Sequence, residues 1–203
     1  MGLFDWLRGK RDNLRVDADR IWLTQAAKLA GIGREVAGAL AAPQPPDAVF
    51  LVAHFDDCVD ELRSLADGMR FDPSRVFCVV AAALEGCAAG GRWEGLSEAL
   101  FAIGERHPLP AHDDALIAFV RSLPCRVQLV QHVSLEDPLL QAFAGDWTAG
   151  VRRRLGMAEN EAIESHLVDR RIRSAQQKIQ RRASGDRPAR SARQWLDENC
   201  PTL

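Results

Sequence analysis

The stretch Ala48–Leu65, AVFLVAHFDDCVDELRSL, decides the fold. Its opening run AVFLVA is continuously apolar, which marks a strand covered on both faces; a strand with one wet face would alternate. Asp56 and Asp57 then supply the N-cap side of a helix over 56–67. A strand running straight into a helix is half of a βαβ unit, and the pattern repeats downstream. Three more apolar runs, RVFCVVAAA (75–83), ALFAIG (99–104) and RVQLVQHV (126–133), read as strands, with helix-like segments at 84–97 and 111–122 between them. Strands alternating with helices imply right-handed crossovers and a mainly parallel sheet. The expected class is α/β, with about four to five strands flanked by helices and a long helical extension at the C-terminal end.

On the N-terminal side, apolar positions from Asp19 to Leu40 suggest a helix interrupted near Gly31-Ile32-Gly33 and ended by Pro43, Pro45 and Pro46. Residues 17–46 thus read as a helical lead-in to an α/β domain over 47–134. After Val133 no strand signal returns. Ser134 can cap a helix, with Asp137 in the third position after it and Pro138 in the first turn, and this helix runs through Phe143 and Trp147 toward Leu155. LGM marks a turn. A second helix over 160–183 places Val168, Ile172, Ala175 and Ile179 at spacings of 4, 3 and 4, an amphipathic seam. Helices therefore fill 135–183, and 184–203 reads as a basic, mobile tail with one docking element around Trp195 and Leu196.

Composition bounds the function classes. With 203 residues, 47% hydrophobic and 27% charged, the chain is expected to fold around one core. The formal charge of −2 conceals a basic end: Arg170 to Arg193 holds nine Arg or Lys against the single acid Asp186. The five cysteines include no CxxC pair, so reduced thiols in the cytoplasm fit better than a disulfide framework. No run of eighteen or more apolar residues suggests a membrane span, and the first residues do not read as a signal peptide. In MGLFDWLRGKR, Leu3, Phe4 and Leu7 share a helical face with Trp6 at its border, and Arg8, Lys10 and Arg11 follow. That composition suits a helix lying in an anionic lipid surface, and equally a terminus that stays mobile or docks on its own domain.

Candidate chemistry is sparse. In AHFDD, His54, Asp56 and Asp57 follow a strand and would stand at the carboxyl edge of a parallel sheet. The stretch resembles the zinc-binding AHPDDE of deacetylases that act on N-acetylglucosamine derivatives, but Phe55 replaces the proline, Cys58 replaces the glutamate, and a later histidine pair has no clear counterpart. His112, Asp113 and Asp114 open the 111–122 helix, where acids meet the helix dipole. Neither GxSxG nor GxxxxGK[ST] is present.

The second half of the chain resembles SecA, the ATPase that drives preproteins through the bacterial translocon. The residues that carry this are Gly104-Glu105-Arg106-His107, then Ser134-Leu135-Glu136-Asp137, then Leu155-Gly156-Met157, then Ile163, Glu164, Ala175, Gln176 and Lys178, in the family's order and at similar spacing. The resemblance covers roughly residues 96–183 and implies the end of a RecA-like lobe running into a scaffold helix. The family's arginine-rich motif between GTERH and SLED has no counterpart here; placed without gaps, its arginines fall on Ile117, Phe119 and Ser122. An arginine finger contributes about 10³ to 10⁵ in rate, so hydrolysis is not expected. The resemblance thus implies a non-catalytic SecA-like binding or accessory component in protein export, cytoplasmic and peripheral at the inner face of the cell membrane. No catalytic, cofactor-binding or metal residue is assigned. A translocase component or a preprotein is the expected partner, met through the seam of the 160–183 helix, the N-terminal segment and basic residues including Arg170, Arg173 and Arg181. The alternatives are a nucleic-acid-binding helicase-lobe remnant, although no aromatic residues interleave with the basic tail, and a zinc deacetylase built on AHFDD.

Overall fold

The computed structural model describes residues 13–89, 93, 95–142, 161–164 and 166–201. The elements are β1 (Leu14–Val16), β2 (Arg20–Trp22), α1 (Gln25–Leu40), β3 (Ala48–Ala53), α2 (Asp56–Gly68), β4 (Val76–Val80), α3 (Leu84–Ala89), β5 (Glu98–Ile103), α4 (Pro110–Ser122), β6 (Arg126–Ser134), β7 (Ile163–Glu164), α5 (His166–Gln180) and α6 (Ala192–Asn199). The class is α/β: a mostly parallel seven-stranded sheet flanked by helices, in the order β4-β3-β5-β6-β2-β7, with β1 also on β6.

The four strands read from the sequence lie side by side, β4-β3-β5-β6 with β4 at the edge, all in parallel register, for example Phe50 opposite Phe77 and Phe101. The three additional strands are short. β1 and β2 pair in turn along one edge of β6, Leu14–Val16 opposite Val127–Leu129 and Arg20–Trp22 opposite His132–Ser134. β7 adds the antiparallel pair, Ile163 opposite Ile21. The expected lead-in helix therefore begins later than its apolar pattern suggests, at Gln25, where the Thr24 hydroxyl accepts from Ala27 N at 3.1 Å.

That helix is not broken at Gly31-Ile32-Gly33. A Cβ on Gly31 would lie 2.1 Å from the Trp22 ring, so the glycine lets the indole of β2 lie against α1. Conversely, the run 75–83 is strand only through Val80; Ala81–Ala83 form a 3-10 turn leading into α3. Alanine lacks the β-branch that favours a pleated surface.

Alternation along each strand builds two apolar layers. Val49, Leu51 and Ala53 of β3 face Ile32 and Val36 of α1 and Val59 and Leu62 of α2. Phe50 and Val52 face Trp93 and, from α4, Leu116 and Val120. A third apolar cluster lies beyond the carboxyl ends of the strands. There the α5 seam residues Val168, Ile172, Ala175 and Ile179 pack with Leu135, Leu139, Trp195 and Leu196. The spacing read from the sequence is the buried stripe. It is covered by the chain itself, however, so the expectation that this seam meets a partner is corrected. In the tail the docking element expected around Trp195 and Leu196 is present, with Ser191 capping α6 and Trp195 only 1% exposed, so what is corrected is the expected mobility.

Candidate functional site

The polar residues of interest gather at the carboxyl ends of β3 and β5, where loops leave a parallel sheet and ligands of open α/β sheets bind. Gly104 ends β5 against α2, where a Cβ would come 3.1 Å from both Cys58 and Leu62. Glu105 follows, buried, and its Oε1 accepts from the backbone N–H groups of His54 (3.0 Å) and Phe55 (2.9 Å). Phe55, the N-cap residue of α2, has no capping side chain, so a carboxylate from the neighbouring strand caps the helix. Asp56 and Asp57, expected to provide that cap, lie in the first turn and are exposed. Burial pushes the Glu105 carboxyl up to about 8, against the opposing pull of Lys28 and the two N–H donors.

Arg106 is nearly buried and faces three carboxylates. Its Nη2 donates to Asp19 Oδ2 at 2.6 Å and to Asp169 Oδ1 at 3.2 Å, and its Nη1 to Asp113 Oδ2 at 3.3 Å. Asp113, fully buried, also accepts from His107 N (3.0 Å) and Gln176 Nε2 (2.7 Å) and lies 2.9 Å from His54 Nε2. Burial alone would raise its carboxyl; His54, Arg106 and the His107 N–H outweigh it and hold it at about 2. Gln176 Nε2 donates as well to the His107 carbonyl at 2.8 Å. Two separate stretches of the resemblance, Gly104–His107 and the helix carrying Ala175, Gln176 and Lys178, are thus joined directly, through Gln176 and through Arg106 with Asp169. Ala175 is buried and Lys178 exposed on the same helix.

The SLED turn fastens the start of α1. Asp137 Oδ1 pairs with buried Lys28 Nζ at 2.8 Å, and its Oδ2 accepts from Ser134 N at 2.8 Å. Burial would lower the Lys28 ammonium, but the Asp137 carboxylate leads the opposing charges that hold it above its ordinary value. Glu136 Oε2 accepts from Gln25 N at 2.8 Å, and Leu135 is core. Ser134 does not cap the following helix as expected. It ends β6, its hydroxyl accepts from Glu136 N at 3.0 Å, and helical structure starts at Pro138 with the Asp137 carbonyl accepting from Gln141 N.

Of the remaining sequence-assigned residues, Ile163 and Glu164 form β7, with Glu164 paired to Arg20. Arg173 pairs with Asp114 at 2.8 Å, Arg181 is exposed, and Arg170 is exposed on α5. Leu155, Gly156 and Met157, and the N-terminal Leu3, Phe4, Trp6, Leu7, Arg8, Lys10 and Arg11, lie outside the described residues. Ile117 and Phe119 pack against the cluster around Trp93 and Phe101, and the Ser122 hydroxyl donates to the Phe119 carbonyl at 2.7 Å.

His54, Asp56 and Asp57 do not converge as one ligand set. His54 is engaged with Asp113, and the carboxylate of Asp57 turns toward Arg190, 3.4 Å away. Among the described residues, those whose ligand atoms do come together, within 4.8 Å of one another, are His107, His112 and Asp186. They line a cavity of about 610 Å³ that His54 and Asp56 also border. Sequence reasoning missed Asp19, Lys28 and Asp186. Lys28 had a signal, since it falls on the buried side of α1 beside Ala27 and Ile32 and so required a buried partner.

Comparisons with known proteins find SecA relatives over about a quarter of the chain. No family model matches the chain. Protein translocase subunit SecA 1 of Rhodopirellula baltica is 54% identical over 50 residues, 25% of this chain and 4% of its own length. The SecA of Dichelobacter nodosus is 51% identical over 49 residues, covering 24% of this chain and 5% of its own, and that of Paraburkholderia xenovorans 53% over 51, covering 25% and 5%. Among solved structures, the C-terminal part of the Fun30 ATPase domain aligns at a TM-score of 0.39 and 11% identity, over 76% of this chain and 54% of that one. The matched part of this chain spans about one-twentieth of the length of its SecA relatives, and what it shares with them is a SecA-like segment.

Proposed function

We propose that the chain is a non-catalytic SecA-like component that acts in protein export by binding a translocase component or a preprotein at the cytoplasmic face of the membrane. The observation that carries this is Arg106. In a nucleotide-hydrolysing site an arginine near the carboxyl end of a strand would be kept for phosphate; here it is enclosed by Asp19, Asp113 and Asp169 and ties the sheet to the SecA-like helix. Ile117 and Phe119, at positions where the resemblance would place arginines, are half-buried apolar residues. The link to translocation rests on the SecA-like segment.

Since the seam of α5 is covered, the binding surface of this reading is the outer side of α5 and the turn after it, where Arg171, Lys178, Arg181 and Arg182 are exposed. Such a cluster attracts acidic surfaces and anionic lipid. Among the described residues no helix is long and apolar enough to cross a membrane, so the reading places the chain at the membrane by peripheral contact. The nucleic-acid alternative finds no support in Trp195, which is buried and unavailable for stacking on bases. The test is binding of the purified chain to immobilised full-length SecA and to an unfolded preprotein, with the quadruple variant Arg171→Glu, Lys178→Glu, Arg181→Glu, Arg182→Glu beside it. Saturable binding to either, lost in the variant, is expected. Binding to neither would overturn the proposal.

A further inference from the structure

Two motifs that the proposed function leaves unused, AHFDD and PAHDD, open onto the same cavity, and the C-terminal segment completes its wall. His107 comes from the β5–α4 loop, His112 from the first turn of α4, and Asp186 from the segment before α6. The His107 and His112 rings stand 3.8 Å apart between centroids, tilted by 32°, and His112 Nε2 meets Asp186 Oδ2 at 2.7 Å. The other Asp186 oxygen accepts from Trp195 Nε1 at 2.9 Å, an outer contact of the kind that orients a ligating carboxylate. The rest of the wall supplies His54, Asp56 and Glu85 against Arg187. Imidazoles with an excess of carboxylates over cations favour a divalent transition metal over an anion.

We propose that His107, His112 and Asp186 form a binding site for a zinc-class divalent cation, with the cavity leaving a fourth position open to water or to an external ligand. The cation takes the place of the proton shared by His112 Nε2 and Asp186 Oδ2, and His107 supplies a ring nitrogen. Two histidines and one carboxylate with an open position is a donor set zinc accepts. Leu109 N donates to His107 Nδ1 at 3.0 Å. That contact keeps the imidazole proton on Nε2, the reverse of the outer-shell arrangement in tight zinc sites, so loading through Nε2 requires a tautomer exchange that moves the proton to Nδ1 and gives up the bond from Leu109 N. The affinity is accordingly set at a Kd on the order of 1 μM, not in the range of closed structural sites. Because Asp186 belongs to the segment leading into α6, the bound cation would staple the cover of the α5 seam to the α/β body.

The experiment is a zinc titration of the reduced full chain against a chromophoric chelator, repeated for Asp186→Asn and His112→Gln. Both side chains are more than 40% exposed, so the variants should fold, which circular dichroism checks. One equivalent of zinc is expected, with affinity lowered at least about 10-fold in each variant. The five cysteines could also take zinc. Cobalt loading separates the two, since the proposed donors give no thiolate-to-cobalt charge-transfer band. No zinc uptake at 100 μM (roughly a hundred times the Kd set above), uptake unchanged in both variants, or a thiolate band would overturn the site. Loss of this site would leave the export reading intact, since that reading rests on the SecA-like segment and the exposed basic cluster.

Discussion

Replacing Arg106 with alanine separates a structural arginine from one kept for nucleotide. Removing the side chain strands two carboxylates that water barely reaches, Asp19 and Asp113, whose side chains are 7% and 0% exposed. They are not stranded equally. Asp113 keeps His54, the His107 N–H and Gln176, whereas Asp19 Oδ2 is held by Arg106 through both Nε and Nη2. Asp169, half exposed, contributes little. Breaking a buried pair on one side costs about 3–5 kcal/mol, and Asp19 can limit the loss by taking up a proton, so about 3 kcal/mol is expected. For a 203-residue chain this corresponds to a Tm lower by roughly 6–12 °C.

The pH dependence carries a definite sign. Burial already raises the Asp19 carboxyl, and without Arg106 its folded value rises further above the unfolded value of 3.8. A carboxyl shifted upward destabilises the fold above its folded pKa and ceases to do so as pH falls below it. The deficit of Arg106→Ala should therefore be larger at pH 8 than at pH 5. Urea unfolding at both pH values is the assay. A loss below about 0.5 kcal/mol, the range of ordinary surface substitutions, or a deficit that grows on acidification would show that Arg106 is not the structural counter-charge of Asp19.

Gly31→Ala should cost about 1–3 kcal/mol because the new methyl meets the Trp22 ring, whereas Gly38→Ala in the same helix, with nothing within 4 Å, should stabilise by up to about 1 kcal/mol; paired thermal melts decide. Trp195→Ala should cost about 3–5 kcal/mol by urea unfolding and increase binding of a hydrophobic dye, because it opens the cluster that covers the α5 seam. His132 is held down to about 3, by burial first and then by Lys28 and Arg20, so the unfolded chain takes up a proton below 6.5 that the folded chain refuses. Its contribution to stability is present above pH 6.5 and is lost on acidification toward pH 3, and His132→Gln should remove up to about 1.4 kcal/mol per pH unit of that slope in urea titrations.

The central sheet was legible because strands buried on both faces write themselves as continuous apolar runs, and the seam of α5 because its spacing is helical. What was not legible depended on partners distant in sequence. β1 and β2 are three residues each and are strands because β6 offers them an edge, which a local pattern cannot display. Gly31 reads locally as a helix breaker and is in fact room for Trp22. The Asp19–Arg106 pair spans 87 residues and the Lys28–Asp137 pair 109, so neither leaves a spacing to find. Asp186 stood out as the lone acid of a basic stretch, but nothing in the sequence tied it to His107 and His112, which it meets through packing of the C-terminal segment.

The most direct test of the central claim is equilibrium binding of a fluorescently labelled unfolded preprotein to the full chain, measured with and without magnesium ATP while phosphate release is monitored. Where the preprotein is the partner, saturable binding with the same Kd in both conditions is expected, and whichever partner the chain meets, no phosphate should be released above the protein-free control. Binding that shifts with ATP, or ATP-dependent phosphate release that Arg106→Ala abolishes while the variant stays folded, would contradict it.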